Sequence, residues 1–102
     1  MKNVTPNEWK KLINETDNKL IIDVRTPQEY QGGKQKEAIN LDIFDSEKFI
    51  SEIEKIDRQT PLFMYCRSGG RSGQACTIAS SKGFKETYNL IGGMMEWDGE
   101  VI

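Results

Sequence analysis

The run Pro61-Leu62-Phe63-Met64-Tyr65-Cys66-Arg67-Ser68-Gly69-Gly70-Arg71-Ser72 constrains this chain more than any other stretch. Leu62 to Tyr65 is a short apolar, aromatic run entered through Pro61, the signature of a buried strand. One cysteine follows, then a loop with two glycines and two arginines. From Ser72 the residues turn helix-compatible through Gln74, Ala75, Cys76, Thr77, Ile78 and Ala79. Cys66 is therefore expected where a strand ends and a helix begins, the edge at which open α/β sheets bind ligands.

The residue types of the loop specify its physics. A helix N-terminus leaves several backbone N–H groups unpaired and pointing at the incoming loop. Gly69 and Gly70 let the backbone curl so that amides converge on one point, an anion-binding nest, and Arg67 and Arg71 add positive charge. Each element favours the ionised sulfur, so Cys66 is expected as a thiolate near neutral pH; comparable sites fall from about 8.5 to roughly 3.5–7.5. The expected site is an activated sulfur nucleophile beside a small-anion pocket made by Arg67, Ser68, Gly69, Gly70, Arg71 and Ser72.

Composition narrows the chemistry. The chain of 102 residues predicts a single domain over 1–102 with one core. A net charge of -2 argues against general nucleic-acid affinity. There is no histidine, which excludes Cys-His catalysis, and with two cysteines a zinc site is not expected. Activation of Cys66 then falls to the loop itself rather than to an imidazole base. No apolar stretch approaches the roughly 20 residues of a membrane span. The start Met-Lys-Asn-Val-Thr-Pro-Asn-Glu lacks a signal-peptide core, so a cytoplasmic, reducing setting is expected.

The remaining elements follow in order. Thr5-Pro6-Asn7-Glu8 is a helix start with a capping pattern, and Trp9, Leu12 and Ile13 share one face of that helix. Lys19 to Val24 reads as a buried strand without clean alternation, as in a parallel sheet covered on both faces. Asp23 and Arg25 sit at its C-terminal end as supporting residues; Arg25 is expected to pair with Glu29, and Asp23 to tie down a neighbouring loop and help orient the Cys66 loop. Thr26, Pro27 and Glu29 repeat the capping pattern and start a short helix. Residues 31–37 form a polar loop, Ala38 to Leu41 a short strand, and Ser46 to Ile56 an amphipathic helix with Phe49, Ile50, Ile53 and Ile56 inward. The helix after the Cys66 loop runs to about Lys82 and closes on Gly83. Thr87 to Ile91 is a further strand, and Met94, Met95 and Trp97 follow the Gly92-Gly93 corner in a short closing helix. The alternation predicts an α/β fold: a mainly parallel central sheet with helices on both faces.

These residues resemble the rhodanese-homology domain, a sulfurtransferase family, over nearly the whole chain. Asp23-Val24-Arg25 with Glu29-Tyr30 is similar to the family's first signature, Cys66 to Ser72 to its active-site loop, and Gly83-Phe84 with Tyr88-Asn89-Leu90, Gly92-Gly93 and Trp97 to its closing segment. The resemblance implies that Cys66 takes the outer sulfur of an anionic donor such as thiosulfate. It then passes that sulfur, as a persulfide, to a thiophilic acceptor such as cyanide, a small thiol or a protein cysteine. Arg67 and Arg71 would hold the donor's anionic group, and no cofactor is implied. Four residues, Arg67 to Gly70, separate Cys66 from Arg71; related phosphatases carry five, so the smaller ring favours sulfur transfer over phosphate hydrolysis. A persulfide carrier or interaction module working with a protein partner is the alternative, and a redox role that uses Cys76 is a weaker one.

One segment departs from the family's pattern. Where members often carry Gly-His-Ile and then Gly-Ala, this chain has Gly33-Lys34-Gln35-Lys36-Glu37-Ala38. Gln35 falls where an apolar side chain is usual, and Glu37 falls at the second glycine. Cys76 is read as a small core residue.

Overall fold

The computed structural model describes residues 1–102. Its elements are β1 (Lys2–Val4), α1 (Pro6–Glu15), β2 (Leu20–Asp23), α2 (Pro27–Gln31), β3 (Ile39–Asn40), α3 (Ser46–Glu54), β4 (Leu62–Tyr65), α4 (Gly70–Ser81), β5 (Thr87–Leu90) and a closing 3-10 turn (Gly93–Glu96). The five strands form one sheet in the order β1-β5-β4-β2-β3, and every pairing is parallel. The expected α/β architecture is therefore the one observed. No helix is long and apolar enough to cross a membrane.

Side-chain alternation along the strands builds two cores. Ile22, Val24, Leu62, Met64 and Cys66 face Phe49 and Ile53 of α3 and Ala75, Cys76 and Ala79 of α4. Ile21, Phe63 and Tyr65 face the other way, onto Trp9 of α1 with Val4 and Leu90. Trp9 meets Phe63 edge to face at 5.4 Å, a favoured aromatic geometry. All of β4 is buried, as an inner strand covered on both faces must be.

The caps explain where the helices start. Thr5 and Glu8 exchange hydrogen bonds at α1, Thr26 and Glu29 do the same at α2, and a proline opens each helix. Gly83 adopts φ +100 after α4, the left-handed conformation expected of a cap. α4 begins at Gly70, ahead of the expected start, with left-handed Gly69 as its N-cap.

The atypical segment keeps its shape by two local substitutions of role. Gln35 is buried, accepts a hydrogen bond from Trp9 Nε1 at 2.9 Å, and its backbone N–H donates to the Tyr65 hydroxyl at 3.0 Å. A buried indole N–H needs an acceptor, so a polar side chain serves here where an apolar one would leave the indole unpaired. Glu37 holds φ +68, the left-handed region that glycine would occupy without strain.

Candidate functional site

Cys66 lies at the C-terminal end of β4, where the chain turns into α4. Its Sγ accepts from the Gly69 N–H at 3.1 Å, the Ser72 N–H at 3.4 Å and the Ser72 hydroxyl at 3.3 Å. Gly69 makes this wrap possible with φ +106. The closing 3-10 turn fixes the other side of the loop: the N–H groups of Met94 and Met95 donate to the Cys66 and Arg67 carbonyls, each at 2.9 Å. With those carbonyls held outward, the following amides turn inward to the sulfur.

The acidity of Cys66 is a contest. Burial, the largest influence, raises it; hydrogen bonds from the Ser72 side chain and from the Ser72, Gly69 and Ser68 backbone oppose burial and prevail, so the thiol sits below its ordinary value. Cys66 itself is 0% exposed. The sequence reading expects a sulfur presented at the sheet edge; the structure puts it at that edge but beneath its own loop. The loop folds over it and brings the Gly69 and Ser72 donors within 3.4 Å of Sγ.

The two arginines differ. Arg67 is exposed. Arg71 forms a bidentate pair with Glu29, at 2.7 and 3.0 Å, and its guanidinium lies 5.3 Å from the ring of exposed Phe44. Hydrogen bonds from Arg71 are the main reason that the Glu29 carboxyl is lowered to about 2, against the opposing effect of burial and with help from the Thr26 backbone.

This corrects the expected partner of Arg25. Arg25 pairs with Asp23 instead of Glu29, at 2.6 Å, and its Nη2 also donates to the Gly33 carbonyl at 2.7 Å. The two side chains stand two residues apart on extended backbone and so share a face, whereas Glu29 points from the first turn of α2 toward α4. Asp23 does tie down neighbouring chain: its carbonyl accepts from Leu41 N–H at 2.9 Å and from Asn40 Nδ2 at 3.0 Å. The pair is buried, and loss of either partner would strand a charge at a cost of about 3–5 kcal/mol. It braces the strand beside β4 without touching the sulfur.

Since the charge on Glu29 is held in the fold by Arg71, a pH dependence follows. The folded value lies below the ordinary carboxylate value of 4.5, so the contribution is complete above that value and disappears as pH falls toward about 2. Glu29→Gln is expected to cost about 1 kcal/mol at pH 7 and little near pH 2. Thermal melts of both proteins across that range check this; an equal deficit at both ends would contradict it.

Two residues named in the sequence take roles at the site that the sequence does not announce. Asn89 accepts from the Ser72 hydroxyl, and Glu29 anchors Arg71. A signal for Asn89 exists, since a polar amide inside the buried strand β5 needs partners. Glu29 gives none beyond its cap. Cys76 is buried on α4, and burial pushes its thiol up to about 12, which makes it an inert core residue. A surface cavity of about 520 Å³ lies between α1, residues 35–37 and the C-terminal segment and does not include Cys66. A shallow depression of about 390 Å³ does adjoin the loop, lined by Arg25, Glu29, Gly33, Arg67, Met94 and Met95. The cysteine sulfur, rather than the cavity beside α1, marks the candidate site, because hydrogen-bond donors converge on it.

Known proteins are similar to this chain over most of its length. The family model for the Rhodanese-like domain matches residues 5–100. A sulfurtransferase of Allochromatium vinosum is 39% identical over 83 residues, covering 81% of this chain and 75% of the relative. A tRNA uridine(34) hydroxylase of Pelagibacter ubique is 35% identical over 94 residues, covering 92% of this chain and 31% of the relative; this chain thus spans about a third of that protein's length. The crystal structure of a rhodanese-like domain protein from Staphylococcus aureus superposes with a TM-score of 0.82 at 25% identity, covering 98% of this chain and 94% of that one.

Proposed function

The chain belongs to the rhodanese-like domain family, and from that premise we propose that it is a sulfurtransferase working through a persulfide on Cys66. One observation carries the reading: three hydrogen-bond donors converge on a cysteine sulfur in a chain that has no histidine. A nucleophile activated by fixed dipoles needs no general base.

The Cys66 thiolate attacks the outer sulfur of thiosulfate, the S–S bond of the donor breaks, and sulfite leaves with its electron pair. Cys66 then carries a terminal sulfur with one negative charge. The donors that held the thiolate are placed to stabilise that charge, as an oxyanion hole does. Cyanide or a thiolate attacks the terminal sulfur and restores the Cys66 thiolate. Arg67, which has no carboxylate partner, is the cation that draws in an anionic donor; Arg71 positions α4 against α2 through Glu29. The buried sulfur is reached when the loop side chains part, and Gly70 lies on the open side, where an added Cβ would meet nothing within 4 Å.

The likeness to a tRNA hydroxylase supports a second reading, in which this fold serves tRNA modification. The net charge of -2 weighs against it, since a polyanion gains no general attraction here. A carrier role, with a protein partner loading Cys66, is the third. The experiment is a comparison of donors: thiocyanate formation from thiosulfate and cyanide, against sulfur uptake from a protein persulfide. Turnover of thiosulfate supports the enzyme; uptake confined to the protein donor supports the carrier; neither would overturn the sulfur-transfer reading.

A further inference from the structure

Ser72 has one hydroxyl proton and three acceptors within reach. The Cys66 sulfur and the Gly69 carbonyl each lie 3.3 Å from its Oγ, and Asn89 Oδ1 is the nearest of the three. The Gly69 carbonyl already accepts from the Gly73 N–H at 3.0 Å and from Asn89 Nδ2 at 3.3 Å, so the contest is between the sulfur and Asn89. Ser72 and Asn89 are both buried, so water does not relieve it.

The orientation of Asn89 is fixed by its other contacts. Its Nδ2 donates to Asn3 Oδ1 at 2.9 Å and to the Gly69 carbonyl. Turning the amide over would face Oδ1 against that carbonyl, acceptor on acceptor. Oδ1 is therefore held toward Ser72. Asn3 lies on β1, paired with Asn89 of β5 in the sheet register, so the outermost strand helps set this orientation.

We propose that Asn89 is a positioning residue that restrains the activation of Cys66 by competing with its sulfur for the single proton of Ser72. The inference rests on the reading of Cys66 as the reacting atom. While the sulfur carries its proton, the Ser72 O–H donates to Asn89. When the proton leaves to solvent, or a terminal sulfur brings negative charge, the O–H rotates to the sulfur and Asn89 Oδ1 loses its donor. No proton is transferred to Asn89. The restraint has a use, because a thiolate made too acidic becomes a poorer nucleophile.

The charged and titratable groups around Cys66 are Arg67 on the loop, Arg71 and the Cys76 thiol on α4, Glu29 on α2 paired to Arg71, and the Asp23–Arg25 pair beside β4. β5 faces the site with the neutral Asn89. These groups are the same in all the variants that test the proposal.

The test is the rate of Cys66 alkylation by iodoacetamide against pH, with the modified cysteine identified by mass. Asn89→Leu frees the Ser72 proton for the sulfur, so the thiolate fraction below the midpoint is expected to rise about three- to tenfold, the worth of one hydrogen bond. Ser72→Ala lowers it by a similar factor. In the Ser72→Ala background, Asn89→Leu changes it less than about twofold, as expected if the effect passes through that proton. Asn89→Ala, which removes the same acceptor without added bulk, gives the same sign if the leucine variant folds poorly. A merely structural role for Asn89 would loosen the loop and move the acidity the other way. A raised or unchanged midpoint, or an equal shift in both backgrounds, overturns the proposal. No sulfur donor enters the assay, so its failure is separate from failure of sulfur transfer.

Discussion

Cys66→Ala is expected to abolish sulfur transfer, by at least roughly a thousandfold, as removal of a nucleophile does elsewhere. No other side chain can take its place. The second thiol, Cys76, is buried in the core between α4 and the sheet and raised to about 12, chiefly by burial. The fold is expected to survive, because the change removes one buried atom and costs about 1 kcal/mol. Thiocyanate formation and a thermal melt of the same preparation read both quantities. Substantial turnover by a folded variant would remove Cys66 from the mechanism.

Gly93→Ala is the second large effect, and it acts without touching the sulfur. Gly93 holds φ +54, and an added Cβ would be driven into the Cys66 carbonyl oxygen and the Arg67 peptide. These are backbone atoms and cannot swing aside. They are also the groups that the Met94 and Met95 amides hold outward, so moving them turns the loop amides away from Sγ. The expected cost is about 2–4 kcal/mol of stability, with activity down tenfold or more and the Cys66 thiol returned toward its ordinary acidity. Gly70→Ala, where the Cβ meets nothing within 4 Å, is the control and is expected to stay within about 0.5 kcal/mol. Equal effects of the two substitutions would contradict the role given to the closing turn.

What the sequence made legible is tied to local chemistry. The apolar run before Cys66, the paired glycines after it and the two capping boxes each declare themselves within a few residues, and the structure places each where expected. What it hid depends on partners far along the chain. β1 is three residues long and mostly polar, and it exists because β5 offers a parallel edge to pair with. Glu29 satisfies a local cap so completely that its bond to Arg71, 42 residues on, leaves no trace in its neighbourhood. The Arg25 partner is a local case: Glu29 is the expected partner, but Arg25 leaves an extended strand, where two-residue spacing brings Asp23 alongside. Gln35 is the opposite case. A polar residue at an apolar position looks like a defect until the indole of Trp9 is seen to need an acceptor.

The measurement closest to the central claim is the intact mass of the protein after incubation with thiosulfate, and again after cyanide is added. The account predicts a gain of one sulfur atom that requires Cys66 and is lost to cyanide with release of thiocyanate. A protein that gains no sulfur from thiosulfate or from a protein persulfide, while its Cys66 remains open to alkylation, would contradict it.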